Sequence, residues 1–537
     1  MMKKVIKKLL AALLAVAMLC AMAIPAFAYN PGETEEDLNT KHEYDAFQIF
    51  TGDVTGNEIK DFKISNVDWG SNIINNSDDF LNKLREADHI GPLFTNAKSA
   101  QEVLAVISQW STSDDYSIAF ARCVCNYVYS DGDSTPVIQG VHTGGVKVPK
   151  PGYYLIVDTS PFNEDDFYHA YNSFLLKVTK AEYVFPINYK VVKPTVEKKV
   201  YDNPDGTSTG GFGSSADHAI NEKFQFQLIA KLPASKDNGR AYDYYDKYTV
   251  CFNDTLSAGI TFDNLDTVEI ANVDGSDPKE ITNYTLVKDL HEAGLPSSIK
   301  LSIDNVKTAG LNLNDGATIT VTYTAHLNEK AYVNTVGGGT DNKNSVYLEY
   351  SNNPRISTSL DHTTTSEVCV YTYQLNNTKH QDTEKGPALE GACFRLYSDE
   401  ACTDQSEVQL YQKDGFYYPI KDVLGKEAVE MKSAANGTFN VKGLDAGTYY
   451  LKEITPPDGY SACKVIPVTI KADHSRNDQA NLEGSNLTND IVNIKAGGIT
   501  LPSTGGIGTT LFYVVGGGLM VAAIVLLVTK KRMEHKN

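Results

Sequence analysis

The chain has 537 residues and a formal net charge of −19 at pH 7, which makes nucleic acid an unsuitable partner because phosphates would be repelled. Tyrosine is frequent, with 31 copies against 2 tryptophans. Tyrosine-rich, β-branched segments are separated by Gly, Asn and Asp turns, which predicts an all-β protein of tandem immunoglobulin-like sandwiches. The length without the two ends suits about three domains.

The N-terminal residues 1–28 have the features of a secretory signal peptide. Lysines near the start precede an apolar run, and the run ends in the small-x-small sequence Ala26-Phe27-Ala28. We therefore predict export and cleavage after Ala28.

The first predicted module covers residues 29–190 and contains both strands and helices. HEYDAFQIFTGDV and PGYYLIVDTS alternate like strands. Between about Phe80 and Val128, apolar residues recur at three- and four-residue steps, which predicts helices. The module is therefore expected to be a sandwich with a helical insertion, and no cluster with catalytic spacing is found in it.

Two further modules are predicted to be β-sandwiches. The middle module, 191–365, includes KYTVCFNDTLSAGITF and ATITVTYTAHL, and the third, 366–497, opens with the predicted strand EVCVYTYQL and includes GTYYLKEI. In this last strand, alternation places Glu453 on the same face as Tyr449 and Leu451. An unpaired carboxylate in a core is costly, so Glu453 is expected to have partners there.

The cysteines and histidines predict neither a disulfide framework nor a catalytic or metal site. Seven cysteines remain after the signal peptide, and an odd, scattered set favours buried thiols, with Cys393–Cys402 the nearest candidate bridge. Cys123 and Cys125 lack the spacing of a zinc pair. No nucleophile elbow is present, so no cofactor and no enzymatic turnover are predicted.

The C-terminal sequence has three parts in order: Leu501-Pro502-Ser503-Thr504-Gly505, an apolar stretch at 509–528 that is long enough to span a bilayer, and a basic tail at 529–537. This arrangement resembles the cell-wall sorting signal of Gram-positive surface proteins. The resemblance implies that a sortase cuts between Thr504 and Gly505. It also implies that the threonyl carbonyl is joined to an amine, with anchorage to peptidoglycan.

Nearly the whole chain resembles the major (backbone) pilins that sortases assemble in Gram-positive bacteria. The motif YYLKEITPPDGY is similar to the glutamate box of their collagen-adhesin B-type domain, and the middle module is similar to their A-type domain. The resemblance implies a structural subunit of a cell-surface pilus, with identical subunits, minor tip and base pilins and a host surface ligand as partners. A monomeric wall-anchored adhesin is the alternative function.

The same resemblance implies intramolecular isopeptide bonds between a buried lysine and an asparagine, assisted by an acid. In the third module these roles fall on Lys379, Asn493 and Glu453, with Lys385 as the alternative lysine. Burial favours the neutral, nucleophilic form of a lysine amine and the protonated form of a carboxylic acid, which suits attack on an amide.

In the middle module the corresponding residues are Lys198, Asp254 and Asn344. Lys199 would face the other side of the strand, and the choice of Lys198 rests on the resemblance. Asp246 and Glu222 are the alternative acids.

The resemblance also implies that a lysine near the end of the first module accepts the threonyl carbonyl of the next subunit. Lys190, in the segment Phe185-Pro186-Ile187-Asn188-Tyr189-Lys190, is the preferred candidate, and Lys193 is its competitor.

Overall fold

The computed structural model describes residues 43–496 with internal gaps. The gaps are 57–61, 111–114, 131–135, 137, 143–144, 160–172, 180–183, 187–192, 205–207, 236–239, 292–294, 335–341, 423–424 and 475–479. The predicted signal peptide, sorting motif and apolar stretch 509–528 lie outside the described residues, as does Lys190. Within the described part, no helix is long and apolar enough to cross a membrane.

The first module has a main sheet covered by helices. Its strands are β1 Glu43–Thr55, β2 Lys63–Trp69, β3 Ile138–His142, β4 Gly145–Lys147, β5 Gly152–Asp158, β6 Ser173–Val178 and β7 Val184–Pro186, and its helices are α1 Ser77–Glu86, α2 Ala100–Ile107 and α3 Asp115–Ser130. The main sheet has the order β2-β1-β5-β6, with β3 also paired to β1, and β4 pairs with β7. Apolar faces of the helices pack on β1 and β5 in one core, so the predicted helical insertion forms the second layer.

The start of α2 illustrates how the sequence specifies this layer. Ser99 has extended backbone angles, and its side chain accepts a hydrogen bond from the backbone N–H of Glu102, as expected of an N-cap. Val103, Leu104 and Ile107 then fall on the buried face.

The middle module is a sandwich of two sheets. Its strands are β8 Thr195–Asp202, β9 Gly211–Gly213, β10 Ser215–Asp217, β11 Lys223–Leu232, β12 Val250–Leu256, β13 Ile260–Asn272, β14 Lys279–Glu280, β15 Thr285–Asp289, β16 Ser297–Ile303, β17 Ala317–Leu327, β18 Lys343–Ser351, β19 Leu360–His362 and β20 Ser366–Tyr371. One sheet has the order β10-β20-β18-β12-β16-β15, with β19 beside β18, and the other has the order β14-β13-β17-β11-β8-β9. Alternate residues of both sheets fill one core, as the period-two pattern predicts.

The third module is a smaller sandwich. Its strands are β21 Tyr373–Gln381, β22 Cys393–Tyr397, β23 Glu407–Val408, β24 Leu410–Lys413, β25 Phe416–Pro419, β26 Met431–Lys432, β27 Val441–Leu444, β28 Gly447–Thr455, β29 Ile466–Ile470 and β30 Thr488–Asn493. One sheet has the order β24-β25-β27-β21-β30, and the other has the order β23-β22-β28-β29 with β26 beside β22. No disulfide joins any of the seven described cysteines, Cys393 and Cys402 included.

The segment EVCVYTYQL belongs to two modules, so its prediction as one opening strand of the third module is wrong. β20 pairs with β18 and β10 of the middle module, and a new strand, β21, starts at Tyr373. Val368 and Val370 lie in the middle core, whereas Tyr371 and Tyr373 lie in the third. The pattern could not mark the crossing because buried apolar residues continue through it without a turn signal.

Gly437 offers a test of how closely the third module packs around Lys379. Its φ is +79°, and a Cβ there would lie 2.5 Å from the carbonyl oxygen of Lys379. We expect Gly437→Ala to lower the free energy of unfolding by about 2–5 kcal/mol, combining left-handed backbone strain and overpacking. Urea-induced unfolding measures this loss.

Gly391→Ala is the matched control, because Gly391 has a φ of +90° but no atom within 4 Å of the added Cβ. This variant should lower the free energy of unfolding only by the cost of left-handed backbone strain, about 1–2 kcal/mol. Equal losses in the two variants would contradict close packing at Gly437.

Candidate cross-linking sites

Strand pairing places two of the candidate residues of the third module on neighbouring strands. β21 and β30 run parallel, with Lys379 opposite Ile491 and Gln381 opposite Asn493. Glu453 comes from β28 in the facing sheet, where its predicted inward direction is observed. The first and last strands of the module thus meet the acid across the core.

The three side chains form a closed, buried group. Lys379 Nζ donates a hydrogen bond to Asn493 Oδ1 at 2.6 Å, and Asn493 Nδ2 donates to Glu453 Oε1 at 2.6 Å. Nζ lies 3.7 Å from the same Oε1, and neither side chain of this pair is exposed. The second oxygen, Oε2, accepts from the backbone N–H of Cys463 at 2.7 Å, so Glu453 is held by contacts on both oxygens.

The surroundings favour a neutral amine on Lys379. Burial lowers the pKa of Lys379, although the thiol of Cys463 and the carboxyl of Glu453 oppose this change. The ring of Phe394 lies 5.3 Å from Nζ and excludes water from one side. Burial also raises the pKa of the Cys463 thiol to about 12, so the thiol beside the amine is not a competing thiolate.

In the middle module, the candidate residues come from opposite sheets. Lys198 lies on β8, opposite Leu228 of β11, in one sheet. Asp254 and Asn344 lie on the neighbouring strands β12 and β18 of the other, where Asn344 is opposite Leu256. A bond between Lys198 and Asn344 would therefore join the two sheets, whereas one between Lys379 and Asn493 would join two strands of a single sheet.

Tyr323 connects the group in the middle module. Lys198 Nζ donates to Asp254 Oδ1 and lies 3.3 Å from the hydroxyl of Tyr323. That hydroxyl donates to Asp254 Oδ2 at 2.6 Å and accepts from Asn344 Nδ2 at 2.6 Å. Asn344 Oδ1 is buried and accepts no hydrogen bond from the described residues, so the amide carbonyl is accessible to a new donor within the core.

Burial sets the protonation of this group. It lowers the pKa of Lys198 to about 8, although Asp254 opposes the shift. Burial also raises the pKa of Tyr323 well above its usual range, so the phenol keeps its proton and can relay a hydrogen bond. The rings of Tyr323 and Phe226 lie 5.5 Å and 5.3 Å from Nζ.

The alternative residues lie elsewhere. Lys385 is exposed, and Lys199 is partly exposed on the opposite face of β8. Asp246 is exposed in an ion pair with an arginine of the first module, and Glu222 pairs with Lys421. In the described part of the chain, none of these four side chains forms a hydrogen bond or an ion pair with the two buried groups.

Two residues of these groups were not anticipated from the sequence, Tyr323 and Cys463. Tyr323 had a detectable signal, because it is the one inward residue of β17 with a polar tip among Ala317, Ile319, Val321 and Ala325. Cys463 follows the turn after β28 and lies outside any strand, so no periodic pattern points to it.

Two family models match the chain. The SpaA prealbumin-like fold domain matches residues 374–484, and the LPXTG cell wall anchor motif matches 493–535. The first match contains Lys379 and Glu453, and the second begins at Asn493 and includes the LPSTG sequence.

The chain is also similar to known proteins. The trypsin-resistant surface T6 protein of Streptococcus pyogenes serotype M6 is 27% identical over 405 residues, which are 63% of this chain and 69% of that protein. The solved T6 backbone pilin has 17% identity and a TM-score of 0.46, covering 86% of this chain and 97% of that one. The major pilin SpaD of Corynebacterium diphtheriae has 17% identity and a TM-score of 0.41, covering 68% and 87%.

The SpaA-type domain directly before an LPXTG anchor and the sequence similarity to the T6 protein lead to one assignment. The chain is similar to the sortase-assembled major pilins of Gram-positive bacteria and is a structural, cell-wall-anchored surface protein.

Proposed function

We propose that this chain is the shaft subunit of a covalently polymerised pilus and that Lys198–Asn344 and Lys379–Asn493 isopeptide bonds reinforce it. The observation that carries the proposal is the burial of a lysine, an acid and an asparagine together in each of two modules. Isolated buried charges are costly, and a pilin core without chemistry to perform would not require the same three residue types twice.

The reaction proposed for the third module balances without any co-reactant. Neutral Lys379 Nζ attacks Cγ of Asn493, the new C–N bond forms, and the bond from Cγ to Nδ2 breaks. Glu453, which contacts Nδ2, takes up a proton from the attacking amine and delivers it to the leaving nitrogen. The products are an amide and ammonia.

In the middle module Asp254 contacts Lys198 directly and Asn344 only through Tyr323. We infer that Lys198 Nζ attacks Cγ of Asn344 as the bond from Cγ to Nδ2 breaks. Asp254 accepts the amine proton, the Tyr323 hydroxyl gives its own proton to the leaving nitrogen, and Asp254 then returns a proton to Tyr323, so the products are an amide and ammonia. Tyr323 is thus a proton relay in the middle module. Among the described residues of the third module, no tyrosine hydroxyl is hydrogen-bonded to Lys379, Glu453 or Asn493.

The bonds have a mechanical consequence in a shaft. Noncovalent domains are stable by only about 5–15 kcal/mol, so sustained tension would unfold them. With both bonds formed, tension passes from Lys198 to Asn344 and from Lys379 to Asn493, and most of each module is shielded from extension. The T6 relative is named for its trypsin resistance, a property expected of such cross-linked modules.

For polymerisation, we propose that sortase cuts between Thr504 and Gly505 and joins the threonyl carbonyl to Lys190 of the next subunit. The competitor Lys193 is only 8% exposed, which makes its amine a poor target for an enzyme. Lys190 lies outside the described residues. The proposal that it is the acceptor is supported by its position near the end of the first module and by the burial of Lys193.

The polymer itself is the main test of this function. Wall extracts boiled in detergent should give a ladder of high-mass species, and Lys190→Ala should reduce the ladder to monomer because the acceptor amine is gone. Immunoblotting against the chain measures both. Lys193→Ala is the control and should keep the ladder, and a single monomer band from wild type would contradict the shaft function.

Intact mass tests the cross-links separately. The exported wild-type chain should lack the mass of two ammonia molecules, and Glu453→Ala and Asp254→Ala should each lack the mass of one, because each acid serves one module. Mass spectrometry of the full chain, with cross-linked peptides identified after digestion, measures this. Glu222→Ala is the control acid and should retain both bonds, and a wild-type chain without a mass deficit would refute the chemistry.

Bond formation in the middle module should depend on pH through Lys198. Since burial lowers its pKa to about 8, the nucleophilic neutral form increases as pH rises through about 8. Refolding of denatured, unlinked chain should therefore form the Lys198–Asn344 bond about 100-fold faster at about pH 9 than at about pH 6. Quantifying the cross-linked peptide over time gives the rate, and a rate that falls or stays level with pH would contradict this role.

A further inference from the structure

A further polar cluster, separate from the two buried lysine groups, lies at the junction between the middle and third modules. It consists of Asp202 at the end of β8, Asp217 at the end of β10, and His474 after β29. One carboxylate oxygen of each aspartate and one ring nitrogen of His474 all lie within 4.8 Å of one another. His474 Nε2 is 3.6 Å from Asp202 Oδ2 and 3.6 Å from Asp217 Oδ1.

The hydrogen bonds around His474 determine which nitrogen faces the carboxylates. Ser215 Oγ has a single proton and donates it to the backbone carbonyl of His474 at 2.6 Å. The same oxygen lies 3.0 Å from Nδ1, so it must accept there, and Nδ1 carries the ring proton. In a neutral imidazole, Nε2 then presents its lone pair to the two aspartates, as in many metal sites.

The two aspartates differ in how their oxygens are satisfied, and only Asp217 keeps an oxygen without a hydrogen bond from the described residues. Tyr373 OH donates to Asp217 Oδ2 at 2.7 Å, and Oδ1 is buried without a hydrogen bond from the described residues. Asp217 is only 1% exposed, so water is largely excluded from Oδ1. Asp202 accepts the backbone N–H of Asp217 on Oδ1, at 3.1 Å, and the hydroxyl of Ser208 on Oδ2.

Three acceptor atoms thus converge in a nearly dry site that holds two carboxylates. Such an arrangement is repulsive unless a cation lies between the acceptors. Separations of 3.6 Å exceed a hydrogen bond but fit a tetrahedral ion, because bonds of about 2.0–2.2 Å place ligand atoms about 3.3–3.6 Å apart. Imidazole with carboxylates suits zinc and similar transition ions better than calcium or magnesium.

A neighbouring cluster, formed by His218, Glu222 and Asp445, shows the contrast. There His218 Nε2 lies 2.7 Å from a backbone carbonyl, and Glu222 accepts from an asparagine at 2.8 Å and pairs with a lysine. Asp445 accepts a backbone N–H at 3.0 Å. Hydrogen-bonding partners and a lysine already contact these side chains, so the cluster requires no metal ion.

We propose that Asp202, Asp217 and His474 bind one divalent transition ion, for which Zn²⁺ is the probe, and that this ion ties the middle module to the third. Water or the Ser208 hydroxyl completes the coordination. The ligands lie inside the two loops that the proposed isopeptide bonds close, at 198–344 and 379–493. The ion would therefore bridge the segment 345–378, which neither bond protects.

Metal uptake by the full-length chain tests the site. After dialysis against Zn²⁺ with excess Mg²⁺, wild type should retain one zinc per chain, and Co²⁺ in its place should give the intense visible bands of a tetrahedral site. Asp217→Asn and His474→Gln should each weaken zinc affinity by at least about tenfold, the loss that changes around a metal site bring about. The rise of the thermal unfolding temperature with Zn²⁺ should be smaller in these two variants than in wild type.

Asp263→Asn is the matched control, because Asp263 forms a two-residue pair with His326 at 2.8 Å in the middle module. It should bind zinc like wild type. Asp217→Asn and His474→Gln should keep the mass deficit of two ammonia molecules, which shows that they fold and separates this result from the fate of the cross-links. Absence of zinc uptake by wild type, or equal uptake by all variants, would overturn the proposal and leave a protonated His474 as the bridging cation.

Discussion

The interaction on which this structure depends is the burial of a lysine amine against an acid and an asparagine. Lys198 and Lys379 are almost completely inaccessible, and each lies against partners that come from distant parts of the chain. Burial disfavours their charged forms, and the resulting neutral amine can act as a nucleophile. The sandwich architecture serves this arrangement, because the two facing sheets bury all three side chains.

The two modules bring a lysine, an acid and an asparagine together through different strand topologies. In the third module, Lys379 and Asn493 lie on neighbouring parallel strands, and the acid comes from the opposite sheet. In the middle module the lysine comes from one sheet, and the acid and asparagine come from the other, with Tyr323 between them. In both arrangements the proposed bond would join an early strand of the module to a late one, as the proposed resistance to tension requires.

The junction between these modules lies outside the two loops that the proposed isopeptide bonds would close. β20 and the first six residues of β21 lie in the segment 345–378, and they are held by strand pairing and by side chains that cross the junction. Glu329 pairs with Lys413 and Lys426 across it, and Tyr373 donates to Asp217. The proposed ion at Asp217 and His474 would strengthen the same boundary, which the proposed isopeptide bonds would leave unprotected.

The sequence by itself determined the C-terminal anchor motif, the all-β class and the helical insertion, because an anchor motif and a hydrophobic period are local properties. It also indicated Glu453, since alternation places a carboxylate on an inward face. Only the tertiary structure decided that β20 belongs to the middle module, that Tyr323 lies between Asp254 and Asn344, and that Asp217 meets His474. Each of these depends on strands that are far apart in the chain but adjacent in space, and no local pattern records which distant strands pair.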